Sequence, residues 1–136
     1  MNKSKIRAER KTRFNESRQF SLGDLIEKLE EIDDLNSKDV RFDFAYFAPS
    51  TFHSWRGAYE ELAVSYSEDT KNAGVFLDEC RNTIGKTFTG WKGGEFTMSS
   101  ETPVWVALAG MSCNTVIIAV SDHDSMVILH TAYMEY

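Results

Sequence analysis

Cysteine is scarce. Cys80 and Cys113 are the only two, they lie 33 positions apart, and they form no C-x-x-C. That spacing excludes a thioredoxin-type redox motif and a zinc ribbon. It reads instead as two buried thiols in a reducing compartment. Histidine is scarce too: His53, His123 and His130 are the whole set. A zinc site needs three or four converging ligands, and no two of these stand four apart on a helix. Neither a metal nor a cofactor is expected. No apolar run approaches the ~20 residues of a membrane-spanning helix. The charged N-terminus has no apolar segment behind it, which argues against a secretory signal. Cytoplasmic residence is the expectation, with no membrane partner.

Signatures of turnover are missing as well. There is no G-x-S-x-G elbow for a serine nucleophile. His53-Ser54 and His130-Thr131 are not the H-x-[ST] pairs of two-histidine phosphodiesterases. Glu60 and Glu61 are neighbours, so on a strand they face opposite sides. Gly85-Lys86-Thr87 ends like a phosphate loop, but Cys80 stands where the upstream glycine belongs. That stretch also follows a helical pattern rather than a strand, which rules out a Walker motif. An enzyme would need carboxylates such as Glu60, Glu61 and Glu95 to meet in space.

What the chain does have is charge segregation. Formal net charge is -6 over 136 residues. Residues 1–18 hold seven basic and two acidic side chains, a net of +5, so the remaining eight basic and nineteen acidic ones leave the body at −11. The arm, with Lys3, Lys5, Arg7, Arg10, Lys11 and Arg13, resembles arginine-rich peptides that fold on RNA. Clustered charge of this kind attracts nucleic-acid phosphates. The plainer alternative is a solvated terminus. The expected organisation is a basic arm over 1–18, flexible or helical on binding, and one domain over 19–136.

The body reads as α+β: a mostly antiparallel sheet of five or six strands with two helices on one face. Ser21 and Asp24 form a capping-box pattern. Leu22, Leu25, Ile26, Leu29, Ile32 and Leu35 then repeat at helical spacing, with acidic residues opposite. Asp39 to Phe47 alternates like a half-buried strand. Pro49 and Ser50 break it, and 51–57 reads as a loop into an extended run at 58–66. A second helix is expected over about 71–84, with Val75, Phe76, Cys80 and Ile84 inward and Gly85 as its cap. Strands are expected at 102–109, 114–121 and 125–133. Between the last two, Ser121 to Ser125 reads as a turn with His123 solvated.

The body's eight basic residues make their positions informative. Arg56, Lys86 and Lys92 fall in its two most distinctive segments, beside Trp55, Tyr59 and Trp91. Gly93 and Gly94 let a backbone approach a ligand closely. Exposed N–H groups of such loops, with Thr87 beside them, suit an anion, and the aromatics suit stacking on a base. The alternative is a turn whose glycines satisfy positive φ and whose lysines meet solvent.

Three strings carry a resemblance: SWRGAYEELA at 54–63, GKTFTGWKGGEFTM at 85–98 and TPVWVA at 102–107. Together they resemble a widespread family of small tailed-bacteriophage proteins, over roughly residues 22–133 and without the arm. The resemblance implies phage origin, residence in the host cytoplasm, and no particular chemistry. Small phage accessory proteins act on host defences, so binding is favoured over turnover. The first expectation is capture of an anionic, nucleotide-like ligand, with a homo-oligomer able to frame the pocket. The second is a protein–protein inhibitor or nucleic-acid mimic that uses the acidic body against a host protein. The third is an RNA- or DNA-associated protein that uses residues 1–18.

Overall fold

Ser21 starts the first helix as its sequence requires. The Ser21 hydroxyl accepts from the Asp24 N–H at 3.1 Å, and the Asp24 carboxylate accepts from the Ser21 N–H at 3.0 Å. The computed structural model describes residues 19–44, 46–55, 58–89, 94–107 and 114–133, with backbone only at 54, 55 and 58–61. The basic arm therefore lies outside the described residues.

Helix α1 spans Leu22–Glu30 and buries Leu22, Leu25, Ile26 and Leu29. It ends sooner than the apolar stripe predicts. Glu31, Asp33 and Asp34 oppose the negative end of the helix dipole, and Asp34 turns left-handed at φ 55° before a 3-10 turn over Leu35–Ser37. Ile32 and Leu35 still pack against the core, from outside the helix.

Strand β1 covers Asp39–Phe42 and stops short of the predicted Phe47. The Phe42 N–H donates to the Phe47 carbonyl at 2.9 Å, so the chain turns back over this stretch. Phe44 stacks on Phe42 at 5.0 Å, while Tyr46 is 81% exposed. Strand β2, Ala48–Trp55, occupies most of the predicted loop. Pro49 does not break it, because β2 is an edge strand and carries an irregularity between Pro49 and Phe52. Proline is tolerated at edges and bulges, where its missing N–H breaks no ladder bond. Strand β3 follows over Ala58–Ser67.

Helix α2 spans Ala73–Thr83, capped by Asn72, whose side chain accepts from the Val75 N–H at 3.0 Å. Ala73, Phe76, Leu77, Cys80 and Thr83 face inward. Val75 and Ile84 do not, at 49% and 43% exposed, which corrects the expected inward set. Gly74 lets the helix approach Asn36, because a Cβ there would collide with the Asn36 side chain. Gly85 closes the helix at φ +85°, as expected of its cap.

Strands β4 (Thr87–Thr89) and β5 (Glu95–Thr97) form a separate hairpin. Strands β6 (Val104–Val106), β7 (Thr115–His123) and β8 (Met126–Tyr133) complete a six-stranded sheet in the order β1-β8-β7-β6-β3-β2. Three of its pairings are antiparallel; β1–β8 and β3–β6 are parallel. The sheet is thus mostly antiparallel, as the sequence predicts, with two parallel pairs. Parallel neighbours need a crossover, and α2 lies on the one between β3 and β6.

The sheet curls toward a barrel. Its two edges, β1 and β2, come together through the Phe42–Phe47 bond and through Lys71. Backbone at Lys71 accepts from the Val40 N–H at 2.8 Å, and its ammonium donates to the Ser50 carbonyl at 3.2 Å. Both helices fill the inside of the curl with Val40, Phe42, Leu62, Val64, Val104, Val106, Ile117, Val127 and Leu129. A smaller cluster on the other face joins Ala63, Trp105, Ala107 and Val116.

Phe76 is fully buried and stacks on Phe52 at 5.9 Å. Phe76→Ala should cost about 3–5 kcal/mol, whereas Val75→Ala one residue earlier should stay within about 0.5 kcal/mol. Urea unfolding midpoints measure both. Comparable losses would contradict this packing of α2.

Candidate functional site

The β2–β3 hairpin carries the SWRG string and the β4–β5 hairpin carries GKTFTGWKGGEFT. These two hairpins pack against one another, β4 beside β2 and β5 beside β3. Trp55 ends β2 and pairs with Ala58 of β3, and Tyr59 follows in β3. Arg56, Trp91, Lys92 and Gly93 lie outside the described residues.

Lys86, Thr87 and Gly94 are described and exposed. The Lys86 backbone belongs to the hairpin base: its carbonyl accepts from the Met98 N–H at 2.9 Å. Its ammonium lies 5.3 Å from the centre of the Phe88 ring. The Thr87 and Thr97 hydroxyls meet across the hairpin at 2.8 Å. A Cβ on Gly94 would touch the Phe96 ring, so close approach explains that glycine.

Lys86 borders a cleft of about 220 Å³ with Ser50, Thr51, Phe52, Glu79, Asn82 and Thr83. Sequence reasoning missed the β2 and α2 walls, because residues 51–57 read as a loop and α2 showed only its apolar face. The cleft's carboxylate is already neutralised: Lys71 donates to both Glu79 oxygens, at 2.7 and 2.9 Å. Among the described residues Lys86 makes no ion pair, which leaves its charge available to an anion.

The scarce reactive groups fall elsewhere. Cys80 is fully buried in α2, and burial pushes its thiol far above the ordinary range, so it is no nucleophile. Cys113 lies outside the described residues. His53 sits in β2 with Nδ1 3.3 Å from the Ser65 hydroxyl, and its Nε2 is buried with no partner among the described residues. His123, expected in a turn, is the last residue of β7; it is exposed, and its Nε2 is 2.7 Å from the Ser121 hydroxyl. The described residues hold no group of three His, Cys, Asp or Glu placed to bind a metal, and no helix among them is long and apolar enough to cross a membrane.

The chain matches no family model, no curated protein and no solved structure.

Burial holds the His53 imidazole below its ordinary value. The unfolded chain therefore takes up a proton at this residue before the folded chain does, and acid favours unfolding. His53's share of the stability is complete above about pH 6.5, falls as pH drops through that value, and levels off below the folded value. His53→Gln should remove that part of the slope in stability measured from pH 8 to 5. An unchanged slope would show that His53 titrates alike in both states. Cys80 should likewise resist iodoacetamide in the native protein and react only on unfolding, as read by peptide mass mapping; native labelling at Cys80 would contradict its burial.

Proposed function

We propose that the chain is a phage accessory protein that acts by binding, capturing a phosphate-bearing, nucleotide-like anion on the surface shared by the β2–β3 and β4–β5 hairpins. The observation that carries this reading is the packing of those two hairpins beside a cleft whose carboxylate is paired and whose Lys86, among the described residues, makes no ion pair. In this reading Arg56 and Lys92, from the same two sequence strings, would add positive charge. In the same reading Trp55, Tyr59 and Trp91 would be the residues that stack on a base. The sequence resemblance supports phage origin, and a host-defence signal is the kind of ligand such a protein would remove.

The reading has a physical constraint. A body of net charge −11 repels anions at long range. Screening confines that repulsion to about 8 Å at physiological salt, so the ligand must be held by short charge-assisted contacts. Each such contact contributes roughly 1.5–3 kcal/mol.

Calorimetric titration with a panel of linear and cyclic nucleotides tests this directly. Binding is expected for at least one of them, weakened about tenfold or more by Lys86→Ala or Arg56→Ala. A folded protein that takes no nucleotide sinks the reading. If that protein instead captures a host protein one-to-one, the acidic body acts as an inhibitor. If it retains nucleic acid in a salt-dependent way that deletion of 1–18 abolishes, the arm is the functional element.

A further inference from the structure

We propose that Ser121 is an activated nucleophile, with His130 as its general base and Asp43 as the group that positions His130, in a site that cleaves small carboxylic esters. The site lies on the sheet face opposite the helices and is separate from the hairpin surface.

The strand register assembles it. Strands β7 and β8 are antiparallel, with Ala119 opposite His130 and Ser121 opposite Ile128. Val127 and Leu129 fill the core, so Ile128 and His130 take the other face. Ser121 and His123 stand two apart on β7 and share that face. Asp43 arrives from the end of β1, where its N–H donates to the Leu129 carbonyl at 3.1 Å.

The Ser121 hydroxyl lies 2.7 Å from Nε2 of His130 and 2.7 Å from Nε2 of His123. A hydroxyl has one proton, so it donates to one imidazole and accepts from the other. Asp43 decides which. Its carboxylate accepts the Thr131 N–H at 2.9 Å and the Thr131 hydroxyl at 2.6 Å, which fixes it in place. One of its oxygens lies 3.9 Å from His130 Nδ1. A carboxylate on that side favours the proton on Nδ1 and leaves Nε2 free to accept. Ser121 therefore donates to His130, and His123 donates to Ser121. One lone pair on the Ser121 oxygen remains for attack. Nucleophile and base are within hydrogen-bond reach and the carboxylate stands behind the base, beyond hydrogen-bond distance, in the order of an activated serine site.

Access and charge fit the role. The His130 and Asp43 side chains are 39% and 30% exposed, so a small substrate reaches them. Arg41 pairs with Ile128, which pairs with Ser121, so all three lie in one row across the sheet. Strands about 4.8 Å apart put the Arg41 and Ser121 backbones about 10 Å apart. Arg41 Nε is buried with no hydrogen-bond partner among the described residues, and its guanidinium lies 5.1 Å from the Tyr46 ring. An arginine in that row suits an ester with an anionic end.

The step balances. Ser121 Oγ attacks the ester carbonyl and passes its proton to His130 Nε2. The tetrahedral adduct expels the alkoxide, which takes that proton and leaves as the alcohol. Water then attacks the acyl-serine, with His130 taking its proton and returning it to Oγ as the acid departs. The cluster's own side chains provide no pair of oxyanion donors. Loss of one such donor costs about 10²–10³ in rate, so the reaction is slow and favours activated esters over amides.

A fluorophosphonate probe tests the nucleophile without turnover: the P–F bond breaks, an Oγ–P bond forms, fluoride leaves and the proton goes to His130. The full chain should gain one adduct, mapped by mass to Ser121. Ser121→Ala should abolish it, and His130→Gln should slow it about 100-fold or more. His123→Gln should change the rate less than about tenfold. Asp43→Asn should slow labelling, and Asp43→Glu should recover part of the loss, which a purely structural role for the Thr131 contact would not produce. Circular dichroism and thermal melting establish that each variant is folded, with His130→Asn as the second choice at that position. A folded wild type that takes no adduct overturns the proposal, as does equal labelling of the Ser121→Ala or His130→Gln protein.

Discussion

The register of β7 against β8 is the constraint on which the rest depends. Side chains alternate faces along a strand, so a slip of one residue would turn Val127 and Leu129 out of the core and drive His130 into it. Two large side chains would lose burial, and an imidazole would lose water. Ser121 opposite Ile128 and His130 opposite Ala119 follow from that preference. Asp124, at φ 56°, helps to hold the register from the end of the hairpin, where His123 pairs with Met126 across a two-residue turn. The polar cluster is thus placed by apolar packing on the opposite side of the same two strands.

The same core forces the sheet to curl. Two helices and nine inward strand side chains must be enclosed, and a flat sheet would leave one side of them wet. Lys71 answers this at the seam between β1 and β2. Its backbone pairs with β1, while its ammonium reaches β2 and also holds Glu79 of α2. One residue joins two strand edges and a helix. The seam is also where the cleft beside Lys86 opens, so closure of the sheet and neutralisation of the cleft are one arrangement.

Local signals were legible where local physics decided the outcome. Ser21 with Asp24 and Gly85 each act within four residues, and α1 starts and α2 stops near them. The failures came where distant packing decided. Phe44 and Tyr46 continue the alternation of β1, but the chain turns back to bond Phe42 with Phe47, and alternation cannot reveal a turn that keeps its aromatic residues useful. Pro49 looks like a break until β2 is known to be an edge. Val75 fits the helical stripe by number, yet Ala73 and Phe76 define the buried face. The hairpins bearing Trp55 and Lys86 were recognisable as segments, while the cleft between β2 and α2 was not, because its walls come from parts of the chain with no shared motif.

The serine cluster shows the same limit from the other side. Ser121 and His123 are two apart, but His130 lies across a hairpin and Asp43 follows the end of β1, nearly eighty residues earlier. No spacing rule joins them, since serine, histidine and aspartate sites are defined by geometry and occur in any chain order. Within the segment SDHDS the sequence suggests a solvated turn, and the surrounding aspartates strengthen that impression. Asp122 lies on the opposite face of β7 by strand alternation, where Lys38 donates to it at 2.8 Å. Asp43 is therefore the carboxylate beside His130, so the alternation of β7 helps to keep the cluster's polarity in one direction.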